Sequence, residues 1–314
     1  LLGVGVGEQA GAGLAGRDSF DFLTEIAGEL PIQAICFLLG IPEADRHPLF
    51  HAVEHMFDVR DDRHYFDFTP EQAAAMSWMA DYATALIEEK RRHPTDDVLS
   101  VAVHASLPDV DPPSLTDDEL YVFFTLLFAA GADTTRNAIA GGLLALLDAP
   151  EQMRELRTDP SRLDGAIEEM LRWTAPSPMK RRTATESCVL GGQAIRAGDK
   201  VVVWEGSANR DEQQFPDAQR FDLGRAPNSH LSFGHGVHFC LGAHLARLEM
   251  RVVFAALLPA FTSIERAGPV EGTRSNRHTG IRHLPVQVTS ASGAGQTGAG
   301  QTGAGQTGAG QTGA

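Results

Sequence analysis

Phe233-Gly234-His235-Gly236-Val237-His238-Phe239-Cys240-Leu241-Gly242 sets one cysteine in a glycine-rich loop, directly ahead of a helical pattern from Ala243 to Leu258. Such a stretch suits a lone thiolate metal ligand. The sulfur must sit at a fixed height, be shielded from water and be surrounded by backbone N–H groups that hold it as an anion. Glycines let the chain double back tightly, and positive-φ turns aim successive amides at the sulfur. The helix starting just after Cys240 adds its positive end. For an arbitrary cysteine a buried free thiol beside a glycine turn is the better reading. Here the F-G-x-G-x-H-x-C-x-G spacing is complete, and it favours the ligand.

Upstream, Thr116-Asp117-Asp118-Glu119 reads as a capping box opening the longest helix, to about Asp148. Inside it lies Ala130-Gly131-Ala132-Asp133-Thr134-Thr135-Arg136-Asn137, out of place by propensity. A mid-helix glycine costs about 1 kcal/mol, and an acid with two hydroxyls in an apolar helix needs partners. A solvent-facing polar stripe is the plainer reading; a small-residue gap with a proton-handling pair is the functional one. Glu169-Met170-Leu171-Arg172 places opposite charges at i, i+3, a spacing common on surface helices.

In this order the motifs resemble those of bacterial-type cytochrome P450s, the haem-thiolate monooxygenases, from about Asp18 to about Val288. The resemblance implies a mainly α fold with minor β, the P450 type lacking its N-terminal helices and part of the β-sheet. Family members carry those pieces ahead of the element read here at Phe20 to Leu39, so the sequence resembles a fragment. It implies haem b (iron protoporphyrin IX) with Cys240 as axial ligand, whose thiolate favours O–O cleavage. His238 and Arg182 match the contacts to the haem carboxylates. Phe233 packs near the sulfur, Gly234 and Gly236 shape the loop, and Gly242 allows close approach of the following helix. Ala130 and its neighbours make room above the cofactor.

Thr134 then holds an ordered water against dioxygen, and Asp133 passes protons in from solvent. A side-chain hydroxyl opening the i−4 carbonyl bond distorts the helix there. Glu169, Arg172 and Arg225 form a buried charged network with a structural role. The implied function is hydroxylation of a small apolar substrate with dioxygen and electrons from a ferredoxin-type donor with its reductase. The Thr134–Asn137 run and Trp204–Asp211 look like the subgroup acting on sterols, terpenoids and branched lipids. The alternative is a truncated haem-binding protein or an inactive remnant without turnover. A peroxide-driven oxygenase is a near variant, against which the Asp133–Thr134 pair speaks. Pro176–Lys180 departs from the family by a second proline and a lysine, and Arg277 stands where an aromatic is common.

Composition bounds the rest. With 43% hydrophobic and 21% charged residues, the 314-residue chain reads as soluble and globular, with no apolar run long enough for a membrane span. Three cysteines are too few for a disulfide framework, which points to a reducing cytoplasm. The net charge of −15 is uneven: residues 1–150 hold 8 Lys/Arg against 25 Asp/Glu, residues 151–290 hold 18 against 16. That balance argues against nucleic acid as partner. It leaves open a basic patch of Arg225, Arg247 and Arg251 for an acidic electron donor. Residues 1–17 are poorly patterned, 18–290 read as one partial catalytic domain, and 291–314 as a low-complexity Gly/Ala/Gln/Thr tail. Helices are expected at Phe20–Leu39, Ala44–Val59, Thr69–Arg92, 150–158 and 163–174, with strands at Cys188–Leu190 and Lys200–Trp204. His47, His51 and His55 have helical metal-ligand spacing but no supporting Cys or carboxylate set. His235 and His244 read as surface residues.

Overall fold

The computed structural model describes residues 17–57, 69–273 and 279–291. The charged link at 60–63, Arg277, the side chain of His55 and residues 292–314 lie outside them. The first described element is a strand, Ser19–Asp21 (β1), followed by a π-helical turn, Leu23–Ala27, and helix α1, Glu29–Leu38. The single helix expected from Phe20 is therefore split. The reason is tertiary: β1 pairs antiparallel with Pro285–Ser290, more than 260 residues on, setting Phe20 opposite Val286. Nothing local to three residues announces such a partner.

Helices follow at Arg46–Phe57 (α2), Pro70–Arg92 (α3) and Val98–Val103 (α4). Then comes the 32-residue helix Asp117–Asp148 (α5). Thr116 accepts the Glu119 amide while the Glu119 side chain accepts the Thr116 amide, so the start of α5 is closed by the capping box its sequence announces. At 1.5 Å per residue α5 is about 48 Å long. Its N-terminal half gives Leu120, Phe124, Phe128 and Ala132 to a core shared with α1, α2, α3 and α4. Its C-terminal half gives Ala138, Ile139, Leu143 and Leu146 to a second core.

Pro150–Thr158 (α6) and Leu163–Thr174 (α7) close that second core from the other side. Two antiparallel ribbons follow: Met179–Thr183 (β2) with Lys200–Trp204 (β5), and Cys188–Leu190 (β3) with Gln193–Ile195 (β4). A one-turn helix, Glu205–Ala208 (α8), leads into irregular chain and the cysteine loop. Helix Ala243–Ala260 (α9) then runs into Phe261–Arg266 (β6), and Glu271–Gly272 (β7), Ile281–His283 (β8) and Pro285–Ser290 (β9) are the last of the described elements. The larger sheet has the order β1-β9-β6. Among the described residues no helix is long and apolar enough to cross a membrane.

Gly131 corrects one expectation about α5. A Cβ there would lie 2.8 Å from Cγ1 of Ile35, so the missing side chain makes room for α1, not for a cofactor. The helix also runs unbroken through this region. Thr134 donates its hydroxyl to the Ala130 carbonyl at 2.8 Å, and the α-helix continues across that bond.

Candidate functional site

Gly234 and Gly236 adopt φ of +71° and +72°, a region that side chains with a Cβ enter only at a cost. These turns fold the loop back so that the Cys240 amide donates to the Phe233 carbonyl at 2.9 Å and the Phe239 amide to Gly236 at 2.9 Å. Helix α9 begins three residues after Cys240, at Ala243. Gly242 does not have the packing role expected of it, because a Cβ there would meet nothing within 4 Å; its conformation is that of a helix entry, φ −85°. The Phe233 ring is half-buried, 6.2 Å from Phe239 and 5.9 Å from His230.

Around the thiol the loop turns apolar groups outward. Val237 is 99% exposed, Leu241 82% and Phe239 52%, with Cys240 itself exposed between them. Three large apolar side chains exposed on the loop that carries the thiol form an apolar rim that a flat apolar group would cover. His238 is exposed in the same loop, and Arg182 is exposed on β2, where it donates to the Arg181 carbonyl at 3.0 Å. One thiol, an apolar rim, an arginine and a histidine match the chemistry of haem b: a metal, a planar hydrocarbon and two carboxylates. The residues present fit the group.

On α5, Asp133 is held by Arg136, whose Nε and Nη2 lie 3.1 and 3.0 Å from Oδ1. Arg136 in turn lies 4.8 Å over the Phe50 ring of α2. Ala130 is exposed and Thr134 partly so. The acid is thus tied to a cation one turn along, and the neighbouring hydroxyl keeps its lone pairs available for a further donor.

Glu169, Arg172 and Arg225 meet. Glu169 and Arg172 are fully buried, with Arg172 Nε and Nη2 at 2.7 and 2.8 Å from the two carboxylate oxygens. Arg225 Nε lies 3.3 and 3.2 Å from the same pair. The basic patch is a correction: Arg225 pairs with Glu169, Arg247 with Glu168 and Arg251 with Asp164. All three arginines brace α7 and are neutralised by it.

Two residues escaped the sequence reading. Glu249, in α9, is 4% exposed; burial pushes its carboxyl from 4.5 up to about 8, against a hydrogen bond from Thr135 of α5. Its Oε2 has no partner among the described residues. An acid in phase with Ala246 and Val253 on an apolar helix face was the available signal. Because the folded state prefers the protonated form, this group's contribution is most favourable below pH 4.5 and is lost as pH rises to 8. The loss is on the order of 3 to 5 kcal/mol. Glu249→Gln is expected to flatten that slope, so urea midpoints of variant and parent should diverge from pH 5 to pH 8 in the variant's favour. Asn137, the second, donates to the Asp133 carbonyl at 2.9 Å and accepts the Ile281 amide at 3.0 Å, tying α5 to β8.

Residues 48–281 match the model of the family described as Cytochrome P450, and the chain belongs to that family. It is 58% identical over 269 residues to cytochrome P450 126 of Mycobacterium tuberculosis, covering 86% of this chain and 65% of that one. It is 42% identical over 271 residues to the methyl-branched lipid omega-hydroxylase of the same species, covering 85% and 62%. The chain thus spans just under two thirds of the length of these relatives. Among solved structures, a Mycobacterium marinum cytochrome P450 in complex with pseudoionone matches with TM-score 0.83 and 38% identity, over 91% of this chain and 70% of that one. The bacillaene polyketide synthase cytochrome P450 of Bacillus subtilis matches with TM-score 0.83 and 34% identity, over 92% and 73%. The fold is the mainly helical P450 type, and the structural matches cover part of the chains compared.

Proposed function

We propose that the chain is the larger part of a haem-thiolate monooxygenase that hydroxylates an apolar substrate. The carrying observation is Cys240, presented by the positive-φ glycine loop inside an outward apolar rim. Haem b, when bound, supplies dioxygen activation and oxygen transfer; one oxygen atom enters the substrate's C–H bond and the other leaves as water, consuming two electrons and two protons.

The chain's own residues have narrower tasks. Cys240 would ligate, and the exposed Val237, Phe239 and Leu241 would offer apolar surface to the haem. His238 and Arg182 pair with the haem carboxylates, Arg182 through its planar fork. Thr134 holds a water by its free lone pairs, and Asp133 delivers protons when its pairing with Arg136 loosens. Electrons come from a ferredoxin-type donor with its reductase. Relatives acting on a methyl-branched lipid and on steroids, and the pseudoionone complex, support branched lipids, steroids and terpenoids as the substrate class.

A carbon-monoxide difference spectrum of the reduced, haemin-loaded chain is the first test. A Soret band at the thiolate position is the expected result; one at the histidine-ligated position, or none, rejects the reading. The second test concerns protons. Thr134→Ala should keep that spectrum while product formed per electron pair falls roughly tenfold and peroxide rises. Branched fatty acids, terpenoid ketones and steroids serve as probes. Unaltered product yield in the variant removes Thr134 from the proton path.

A further inference from the structure

Helix α7 carries two successive glutamates that face different neighbours. Glu169 serves the buried arginine network, whereas Glu168 reaches the cysteine helix. Its carboxylate takes a two-pronged grip from Arg247: Nε to Oε1 at 2.6 Å and Nη2 to Oε2 at 2.8 Å. The buried His230 ring adds a third contact, Nε2 to Oε2 at 3.2 Å. The Ser232 amide donates to His230 Nδ1 at 3.3 Å, so Nδ1 is the acceptor and Nε2 carries the proton given to Glu168.

These groups converge on one ring. The Arg247 guanidinium carbon lies 4.5 Å from the Phe233 centroid, over its face, and the His230 ring centroid lies 5.9 Å away, tilted by 47°. The Phe233 carbonyl is the acceptor of the Cys240 amide, at 2.9 Å. Charge on Glu168 therefore fixes Arg247 and His230, these fix the ring, and the ring's own backbone fixes the cysteine amide. An exposed ion pair is worth little. This one is bidentate, partly buried and stacked on an aromatic face, which adds geometric definition as well as energy.

We propose that Glu168, Arg247 and His230 are positioning residues for the thiolate: they clamp Phe233 and through it set the orientation and donor strength of Cys240. The proposal rests on the haem-thiolate reading of Cys240. A metal-ligand sulfur is tuned by the groups that orient its backbone, and loss of such an orienting contact changes metal affinity or activity about 10- to 100-fold. The fold supplies an internal control. Asp164 and Arg251 form a second rung between α7 and α9, at 2.7 Å, one helical turn from the first and more exposed. That rung braces the same two helices without stacking on Phe233.

The test compares haemin-loaded parent, Arg247→Met, Glu168→Gln, Arg247→Lys and Arg251→Met. Two readouts are used: the iron–sulfur stretching frequency by resonance Raman, and the ratio of thiol-type to thiolate-type carbon-monoxide bands. Arg247→Met and Glu168→Gln should shift the frequency and raise the ratio about tenfold. Arg247→Lys keeps the charge but not the planar fork and should fall between; Arg251→Met should move neither readout. Unchanged frequency and ratio in the first two variants overturn the proposal, whatever happens to their stability, because Glu168–Arg247 is then only a helix brace. Should those variants fail to fold, Arg247→Lys decides by the same readouts, and parent-like values overturn the proposal. A parent chain without a thiolate-type band overturns the haem-thiolate reading, and this proposal with it.

Discussion

Replacing Cys240 with serine is expected to abolish the thiolate-type carbon-monoxide band completely while leaving the fold without haem nearly unchanged. The two halves of that expectation have separate causes. Cys240 is exposed on its loop, so its sulfur contributes little to core packing, and a surface substitution of this kind changes stability by about 0.5 kcal/mol or less. Its backbone bond to Phe233 survives in serine. What disappears is the sulfur donor, which a serine hydroxyl does not replace. Neither remaining cysteine can substitute. Cys36 is buried, and burial pushes its thiol up to about 12, which keeps it protonated. Cys188 is exposed on the small hairpin of β3 and β4. Cys188→Ser should therefore leave the band intact. The checks are the reduced carbon-monoxide spectrum and the thermal midpoint of each variant before haemin is added. A Cys240→Ser chain retaining the band would show that the ligand lies elsewhere.

The reach of the sequence follows from the range of the forces involved. Helix α5 was legible because its cap, Thr116 with Glu119, lies within four residues and its apolar run does not depend on a partner. The cysteine loop was legible because positive φ at Gly234 and Gly236 is a local demand on residue type. Strand β1 was not, since only Val286 and its neighbours make Phe20 extended. Gly131 looked like space for a ligand because a sequence cannot show Ile35 arriving from another helix. The arginines misled for a related reason. Arg247 and Arg251 count as charge in composition, but Glu168 and Asp164 cancel them across a helix interface. Glu249 was visible only as an acid on an apolar face, and its significance appears once Thr135 and the surrounding burial are in place.

Arg172→Ala is expected to be the most damaging single change to the fold. The side chain is fully buried, and all five of its N–H groups are used. Two go to Glu169, at 2.7 and 2.8 Å. The other three go to the backbone carbonyls of Asn209, Ala218 and Arg220, at 2.7, 3.0 and 3.1 Å. Those carbonyls belong to the irregular chain that precedes the cysteine loop, whose backbone bonds are local turns such as Phe215 to Asp211 and Arg220 to Asp217. Removing the guanidinium leaves a buried carboxylate short of its principal counter-charge, at a cost of about 3 to 5 kcal/mol. That is a large part of the roughly 5 to 15 kcal/mol by which domains are stable. Isolated buried ion pairs can often be exchanged for apolar pairs of equal volume without loss. This one should resist such an exchange. In Glu169→Leu with Arg172→Met the carbonyls of Asn209 and Ala218 and the Asp222 amide, now bonded to Glu169 at 2.8 Å, lose these partners, each costing about 1 to 3 kcal/mol, while the Arg220 carbonyl keeps Arg225 at 2.9 Å. Urea midpoints of Arg172→Ala and of the double variant should both fall well below the parent's. Hydrogen exchange at residues 209–225 should accelerate before exchange in α5 does. A double variant as stable as the parent would mean that the coil holds itself without Arg172, and the network would lose its structural role.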